Sequence, residues 1–267
     1  MDLGLADATV VVAGGTSGMG RAAADCFAAD GARVAVLARG RSGLDATAAA
    51  LTEIGSPDAL GLEVDLLDRG SVEAAMAELG ERWGHLNALV NAAGPFSGGV
   101  KGFEEYTDEE WLAVLDGLTL SSVRTVRAAL PLLRRATWAR IVNVSAMSTK
   151  RQSGSLVAYT AAKSALTSLT KNLSMSLAGD GILVNTVSPG TYVSETFKRA
   201  LRLLPDVDEE DLYDVMRYIT RDFGHPVHLG RAGDPKEIGP VIAFVASARN
   251  SYMTGANINV DGGSDFT

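Results

Sequence analysis

A glycine-rich turn near the N-terminus constrains this chain more than any other stretch of its sequence. The apolar run at residues 9–13 predicts a buried strand, and the alanine-rich residues 21–29 predict a helix. Strand, glycine turn and helix in this order present backbone N–H groups and a positive helix end to a phosphate. In this interpretation Gly14 allows the sharp turn, Gly18 a close approach of phosphates, and Gly20 the packing of helix on strand.

The spacing of these glycines alone does not separate a phosphate site from a purely structural turn. It is Gly-x3-Gly-x-Gly rather than the better-known Gly-x-Gly-x-x-Gly. The phosphate interpretation adds Thr16, Ser17 and Met19 of the same loop to the residues expected to line a nucleotide.

Apolar runs and helical segments alternate along the chain. Further strands are predicted at residues 33–38, 60–64, 86–90, 139–145, 182–188 and 257–260. Helices are predicted at residues 42–54, 71–83 (with Ser71 as N-cap), 107–135 (opened by a capping box at Thr107), 155–177 and 234–248. The strand runs are continuously apolar, which is typical of a parallel sheet covered on both faces. The sequence therefore predicts an α/β, doubly wound parallel sheet of about seven strands.

Composition limits the domain organisation and the partners. The 267 residues are 46% hydrophobic, which suits one domain over residues 1–267. The net charge of −8 leaves no basic excess for a nucleic acid. We find no secretion signal and no apolar run of the ~20 residues that a membrane span requires. The single cysteine, Cys26, cannot form an internal disulfide, so a cytoplasmic location is predicted.

The ends of the predicted strands indicate where a ligand binds, because ligands of such sheets lie beyond the carboxyl ends. Small and polar residues follow several strands, among them Asp65 with Leu66, Asn91 and Gly94, and Pro189-Gly190. An extended nucleotide would need such an edge, although turn residues are common at strand ends in any protein.

The end of the second predicted strand bears on the choice of nicotinamide cofactor. NAD sites commonly place a carboxylate there for the ribose 2′-hydroxyl, whereas a 2′-phosphate requires a cation. Here Ala38 takes the carboxylate position and Arg39 and Arg41 follow it. A guanidinium can hold a phosphate through two parallel hydrogen bonds, so NADP(H) is favoured over NAD(H). An ordinary surface arginine is the alternative, and Thr16-Ser17 adds no second basic residue in the glycine loop.

Tyr159 and Lys163 carry the chemical signal. They are four residues apart and share one face of a predicted helix. A phenol has a pKa near ~10 and is a weak acid–base group at neutral pH unless its anion is stabilised. An ammonium group one turn away provides that stabilisation, and the same lysine could hold the nicotinamide ribose. Taken alone, the spacing also fits a solvated helix face.

Together these residues resemble the short-chain dehydrogenase/reductase family in its single-domain branch. The matching pieces are residues 14–20, Asp65, residues 91–94, Tyr159 with Lys163, Pro189-Gly190 and residues 259–263. The resemblance implies a Rossmann-like sheet of seven strands, a nicotinamide cofactor, and oxidoreduction at an alcohol or carbonyl. It also implies that Asp65 lies near the adenine, that Asn91 and Gly94 line the cofactor, and that Ser194 reaches its phosphates or carboxamide.

The chain departs from this family at two positions. The family serine, which hydrogen-bonds the substrate oxygen, stands thirteen residues before the tyrosine, where this chain has Ala146. Ser145 and Ser148 are the alternatives; we predict Ser145, which ends the strand beside the expected position, although a shift of one residue reverses side-chain direction on a strand. The family asparagine that kinks the long helix and helps hold a relay water corresponds to Leu118. Without that kink, the relay is expected to be absent or rebuilt.

The resemblance further implies a lid at about residues 191–230 and a subunit contact. The apolar lid residues suit an apolar substrate pocket, or alternatively pack on the body of the domain; they are Phe197, Leu201, Leu203, Leu204, Tyr213, Met216, Tyr218 and Phe223. His225 and His228 lack a third ligand at suitable spacing, so no metal is predicted. Family members bury the two long helices in a homo-oligomer, usually a tetramer. The candidate contact residues are Ala128, Ala129, Leu132, Leu166, Leu169 and Leu173.

The favoured function is an oxidoreductase that transfers a hydride between NADP(H) and an alcohol or carbonyl group of a small, apolar substrate. One alternative is a cofactor-binding protein with weak or no turnover, which Ala146 and Leu118 would explain. Another is an epimerase or dehalogenase on the same scaffold. Retention of Tyr159 and Lys163 favours the oxidoreductase, because a different reaction would more easily discard that pair.

Overall fold

The computed structural model describes residues 2–94, 101–204 and 206–264 of the chain. Its strands are β1 (Thr9–Ala13), β2 (Arg33–Ala38), β3 (Ala59–Glu63), β4 (Ala88–Asn91), β5 (Ala139–Val144), β6 (Ile182–Pro189) and β7 (Asn257–Val260). Its α-helices are α1 (Gly18–Ala29), α2 (Arg41–Ile54), α3 (Arg69–Trp83), α4 (Asp108–Leu115), α5 (Ser121–Leu133), α6 (Val157–Ser176), α7 (Glu195–Leu201), α8 (Leu212–Phe223) and α9 (Pro235–Val245). Every predicted strand is present, and the ends lie within a few residues of the predicted ones.

The seven strands form one sheet in the order β3-β2-β1-β4-β5-β6-β7. Every neighbouring pair is parallel, which confirms the predicted doubly wound sheet. From β1 the chain winds outward to β3, then returns to place β4 on the other side of β1. The crossovers on the two sides of this switch point diverge, so a crevice opens beyond the ends of β1 and β4.

Both faces of the sheet are covered, which explains why the strand sequences are continuously apolar. Val10 and Val12 pack in a core cluster with side chains of α1 and α9. Val11 and Ala13 lie in the opposite cluster, with side chains of α3 and α5. Alternate residues of β1 thus enter two separate hydrophobic layers, as the period of two in a strand requires.

The predicted long helix at residues 107–135 is divided by a π-helical turn at Asp116–Leu120, between α4 and α5. The capping box that opens α4 is as predicted: the Thr107 hydroxyl accepts from the Glu110 N–H, and the Glu110 carboxylate accepts from the Thr107 N–H. The helix is therefore irregular at Leu118, although the asparagine that the resemblance implies there is absent. Our expectation that the kink is lost with Leu118 is wrong.

Helix α3 begins earlier than predicted and has a different cap. Asp68 is the N-cap, and its carboxylate accepts from the Gly70 N–H at 2.9 Å. The hydroxyl of Ser71, the predicted cap, instead accepts from the Asp65 N–H at 3.1 Å. Ser71 therefore ties the first turn of α3 to the loop that follows β3.

The helix surfaces leave fewer apolar residues exposed than the subunit-contact prediction requires. Ala129, Leu132 and Leu166 are buried within the chain, so they are not available for contact with another copy. The large apolar residues exposed on these helices are Leu112, Leu120 and Met175. In the part of the chain that the structure describes, no helix is long and apolar enough to span a bilayer.

Candidate active site

A groove of about 540 Å³ opens at the carboxyl ends of the first four strands. It brings together most of the predicted cofactor residues, namely Gly14, Thr16, Ser17, Gly18, Met19, Arg39, Leu66, Gly94 and Ser194. The apolar walls of this groove are formed by Leu37, Val64, Ala92 and Ala93, of which Leu37 and Val64 were not predicted to line it. Their position at strand ends was the available signal, but apolar residues there resemble ordinary core residues.

In the glycine loop that forms the floor of the groove, Gly14 and Gly20 lie against backbone atoms and leave no room for a side chain. Gly14 has a φ of +83°, and a Cβ there would lie 2.7 Å from the Ala93 backbone nitrogen. A Cβ on Gly20 would lie 2.3 Å from the Gly14 carbonyl oxygen. Gly14 thus makes the sharp turn after β1, and Gly20 allows α1 to pack against that turn.

The start of α1 faces the groove without a side-chain cap. Its N-cap, Ser17, makes no side-chain hydrogen bond to the helix, and the N–H groups of a first helical turn have no acceptor within the helix. Five other helices begin with a capping side chain, from Asp68, Thr107, Ser194, Asp211 and Asp234. The open donors and the positive end of the α1 dipole suit the phosphates of a dinucleotide.

Arg39 provides a cation at the far end of the groove. It follows β2, is exposed, and lines the groove. Its guanidinium forms no ion pair with any residue in the ranges described above. An exposed guanidinium with no carboxylate partner can bind a phosphate without first breaking an ion pair within the protein.

Two neighbouring residues of the loop after β3, Asp65 and Leu66, were both predicted to line the cofactor, but only one of them lines the groove. Leu66 is buried and lines the groove. Asp65 is exposed and does not line it; its carboxylate accepts from the Leu67 N–H at 2.9 Å. The Asp65 side chain therefore shapes the turn, and Leu66 and Val64 form the apolar wall.

Asn91 lies at the end of β4, but its side chain points into the protein interior. Its amide nitrogen donates to the Asn143 side-chain oxygen at 2.8 Å, and its own oxygen accepts from the Thr125 hydroxyl at 2.7 Å. Asn143 continues this network by donating to the Thr170 hydroxyl at 2.9 Å. The network joins β4, β5, α5 and α6, so the Asn91 side chain braces the groove, and it is the following residues, as far as Gly94, that line it.

A second cavity of about 340 Å³ surrounds Tyr159 and Lys163. Met19, Ala92 and Gly94 line both this cavity and the groove, so the two are contiguous. Most of its remaining wall is apolar, and Met147, Leu156 and Tyr192 were not predicted to lie there. This arrangement allows a molecule in the cavity to contact one end of a dinucleotide in the groove.

Burial shifts both ionisable groups of this cavity toward their neutral forms. It raises the pKa of the Tyr159 phenol to about 12 and lowers the pKa of the Lys163 ammonium to about 8. The Lys163 Nζ donates to the Val144 carbonyl at 2.8 Å and lies 6.0 Å from the centroid of the Tyr159 ring. An ammonium group has three donors, so two remain for a ligand in the cavity.

Ser145, Ala146 and Ser148, which follow β5, differ in what they offer the cavity. The Ser145 hydroxyl bonds with the Lys163 carbonyl at 3.0 Å and with the Thr167 hydroxyl at 2.9 Å, both on α6. Ala146 borders the cavity but carries no polar group. The Ser148 hydroxyl is buried at the cavity wall and has no partner among the described residues. This geometry speaks against our prediction of Ser145 as the group that meets substrate, because its hydroxyl is already held by α6.

Leu118 lies in the π turn and is 2% exposed. Its Cδ2 lies so close to Gly94 that a Cβ added there would approach it to 2.6 Å. Leu118 therefore forms an apolar wall between the β4 loop and the cavity around Lys163.

The segment after β6 closes one side of the cavity. Pro189 is the last residue of β6, and Pro189, Gly190, Thr191 and Tyr192 all border the cavity. None of the eight apolar lid residues named above borders it in the described part of the chain. Several, including Phe197, Leu201 and Tyr218, pack with one another instead. These lid residues therefore form a small core of their own, which is neither a wall of this cavity nor the predicted packing on the body of the domain.

The histidines and the cysteine lie outside this cavity. His225 and His228 occupy the loop after α8, and burial lowers the pKa of His225. Cys26 is half-buried on α1 against the core, and burial raises the pKa of its thiol. Within the described ranges there is no group of three or more side chains suited to holding a metal ion.

Comparison with known proteins assigns the chain to a family. Residues 13–265 match the family model described as enoyl-(acyl carrier protein) reductase. Meso-2,3-butanediol dehydrogenase of Serratia marcescens is 31% identical over 261 residues, which cover 95% of this chain and 93% of the relative. The chain belongs to the short-chain dehydrogenase/reductase family. It is therefore an NAD(P)-dependent oxidoreductase by family.

Other members of the short-chain dehydrogenase/reductase family show the same similarity along the whole chain. A putative ketoacyl reductase of monensin polyketide synthase from Streptomyces virginiae is 34% identical over 258 residues, or 95% of each chain. The crystal structure of L-sorbose reductase from Gluconobacter frateurii, in complex with NADPH and L-sorbose, superposes with a TM-score of 0.91. It is 26% identical, and the match covers 100% of both chains.

Proposed function

We propose that this oxidoreductase transfers a hydride between NADP(H) and an alcohol or carbonyl group of a small, largely apolar substrate. The observation that carries the proposal is the continuity between the groove at the uncapped start of α1 and the cavity that holds Tyr159 and Lys163. In this proposal the chain acts as one domain, with Thr191 and Tyr192 as the part of the lid that borders substrate. The single cysteine supports a cytoplasmic location.

The residues present fit a dinucleotide with an additional phosphate. In this assignment Gly14, Thr16, Ser17, Gly18 and Met19 hold the central phosphates, because their loop and the start of α1 present open donors. Arg39 holds the 2′-phosphate, and Leu66 packs against the adenine with Asp65 shaping the turn beside it. The nicotinamide half is lined by Gly94, Pro189, Gly190 and Ser194, and the Asn91 side chain braces the end of β4 behind them. When bound, the nicotinamide supplies or accepts the hydride.

The proton chemistry falls to Tyr159. Its phenol remains protonated well above neutral pH, because burial raises its pKa to about 12, so it is poised to donate to a carbonyl oxygen during reduction. In the reverse direction the deprotonated Tyr159 accepts the proton of the substrate alcohol and becomes the phenol, and the Lys163 ammonium stabilises the phenolate that this step requires. The two free donors of Lys163 also suit the hydroxyl groups of the nicotinamide ribose.

The walls of the cavity support a small, apolar substrate. Leu118, Ala146, Met147 and Leu156 leave few polar groups for a substrate to contact apart from hydroxyls. Sites of this kind bind an apolar body and orient it through a few polar contacts. The relatives named for butanediol and for L-sorbose act on small molecules, which agrees with a cavity of about 340 Å³.

The direct test is to add NADPH or NADP⁺ and follow nicotinamide absorbance against a panel of small ketones and secondary alcohols. We expect turnover with at least one ketone or alcohol. A protein that binds NADPH but turns over no member of the panel would support the alternative of a cofactor-binding protein, which Ala146 and Leu118 favour. Product formation without a net absorbance change would indicate an epimerase or dehalogenase.

Replacing Arg39 with aspartate should weaken NADPH binding more than NADH binding. The change removes the phosphate-binding cation and adds a carboxylate of the kind that holds a free ribose hydroxyl. Because hydrogen bonds to charged groups are the stronger class, we expect NADPH affinity to fall on the order of 10- to 100-fold. Fluorescence titration with each cofactor measures this, and Arg41→Asp is the matched control, since Arg41 does not line the groove. Equal losses for both cofactors would refute the preference for NADP(H).

We also propose that the enzyme is a homo-oligomer, a tetramer by analogy with its family. Ala129, Leu132 and Leu166 are buried inside the chain, so the contact would use the partly buried candidates Ala128, Leu169 and Leu173. Exposed apolar residues nearby, such as Leu112, Leu120 and Met175, would add to it. Light scattering at micromolar concentration should give four times the mass of one chain. Leu112→Glu should lower that mass if α4 lies in the contact. A monomer in the unmodified protein would contradict the proposal.

A further inference from the structure

The buried hydroxyl of Ser148 stands out among the polar groups of the Tyr159 cavity. Ser148 is 3% exposed and lines the cavity that also contains Tyr159. Its Oγ has no hydrogen-bond partner among residues 2–94, 101–204 and 206–264. Buried polar side chains are nearly always hydrogen-bonded, so an unpartnered hydroxyl at a cavity wall is suited to bonding a ligand in that cavity.

The other hydroxyl groups around the cavity have partners or access to water. The Ser145 hydroxyl is held by the Lys163 carbonyl and the Thr167 hydroxyl. The Tyr192 hydroxyl donates to the Val260 carbonyl at 3.0 Å. Thr191 is only partly buried, so solvent can satisfy its hydroxyl. Ser148 is therefore the buried hydroxyl of this wall that has no partner among the described residues.

The backbone after β5 explains how Ser148 reaches the cavity. Ala146 is extended, and a 3₁₀ turn at Met147–Thr149 follows it immediately. The Thr149 hydroxyl and N–H both donate to the Ala146 carbonyl, and the Lys150 N–H donates to the Met147 carbonyl. This bonded turn fixes Ser148 on the wall that Ala146 also borders, whereas Ser145 faces α6.

We propose a division of roles between the two serines, which rests on the function proposed above. Ser148 is a catalytic residue: its hydroxyl donates a hydrogen bond to the substrate oxygen that Tyr159 protonates. Negative charge develops on that oxygen as hydride reaches the carbonyl carbon, so a fixed donor beside it lowers the barrier. Ser145 is a positioning residue: it ties the end of β5 to the α6 backbone at Lys163 and so holds the ammonium in place.

Alanine variants of the two serines separate these roles. With the best substrate of the panel, Ser148→Ala should lower kcat/KM by roughly 10²–10³, the usual effect of losing one such donor, and leave NADPH affinity unchanged. Ser145→Ala should lower kcat less than Ser148→Ala does. It should also shift the pH at which NADPH affinity changes, because Ser145 acts through Lys163. Ser176→Ala is the control, because it removes an exposed hydroxyl at the far end of α6, outside the cavity, and should change neither quantity.

A relocated serine gives a second, independent readout. Ala146→Ser in the Ser148→Ala background should restore a substantial part of kcat/KM if the loss was that of a donor rather than of folding. Titration with NADPH, monitored by fluorescence, shows whether each variant is folded and binds cofactor. Full activity of Ser148→Ala in an active enzyme would overturn the assignment while leaving the proposed function intact. If the unmodified protein turns over no substrate, the proposed function fails and the role of Ser148 fails with it.

Discussion

Replacing Tyr159 with phenylalanine is expected to lower turnover by a factor of roughly 10²–10⁴, the usual contribution of general acid–base catalysis. The phenyl ring keeps its place on α6, so only the proton donor is lost. NADPH affinity should remain nearly unchanged, because the phenol is not among the phosphate-binding groups. Initial rates at saturating NADPH and a fluorescence titration with NADPH measure the two quantities.

Tyr192→Phe is a matched control for that experiment. Tyr192 borders the same cavity, but its hydroxyl donates to the Val260 carbonyl rather than into the cavity. We expect only a modest loss of stability and little loss of turnover. If Tyr159→Phe keeps full activity, the assignment of the reaction to this cavity is untenable, since Ser148 and Thr191 are too weakly acidic to replace a phenol.

Replacing Lys163 with alanine should damage turnover and cofactor affinity together. The ammonium both stabilises the Tyr159 anion and offers two donors to a ligand, so a fall in turnover on the order of 10²-fold or more is expected. Lys163→Met separates charge from volume, because methionine keeps most of the apolar stem. A variant that loses turnover but binds NADPH as well as the unmodified enzyme would limit Lys163 to activation of Tyr159.

The lowered pKa of Lys163 also predicts that NADPH affinity depends on pH. Burial lowers that pKa to about 8, so the ammonium is present below this pH and is lost as the pH rises through it. NADPH affinity should therefore weaken as the pH rises through about 8, and this step should be missing in Lys163→Met. Since a bound anion favours the ammonium, the step should lie at higher pH when measured on the complex.

The parts of this molecule that follow from local spacing could be predicted from the sequence. Continuous apolar runs predicted the strands, because a strand buried on both faces has no polar side. The glycine loop predicted a groove, since the φ of Gly14 and the close approach at Gly20 are demands that only glycine meets. The four-residue spacing of Tyr159 and Lys163 predicted that they would share a cavity.

The sequence was a poorer guide to side chains that follow the end of a strand, because their positions depend on how the chain turns there. Ser145 was preferred because it ends a strand, but the 3₁₀ turn that brings Ser148 to the cavity begins two residues later. Asp65 was placed beside the cofactor, yet its carboxylate is used by the turn that it belongs to. Hydrogen bonds between a side chain and nearby backbone decide these cases, and no periodic pattern encodes them.

The lid shows the same limit on a larger scale. Its apolar residues fit either a substrate pocket or packing on the body of the domain, and both have the same amphipathic pattern. In the structure Phe197, Leu201 and Tyr218 instead form part of a small core of their own. The periodicity of apolar residues does not tell whether they are buried against other parts of the protein or against a ligand.

The π turn at Asp116–Leu120 also sets the angular phase of the two helices that it joins. Each residue of an α-helix advances the side-chain direction by about 100°, and a π turn holds one residue more than the α turn it replaces. Val114 and Leu118 pack against the Ala158 and Ala162 side of α6, whereas Val126 faces the layer that contains α3. Deleting any one residue of this turn would rotate α4 against α5, so only one helix could keep its packing partner. The length of this turn is therefore more tightly constrained than the identity of the residues within it.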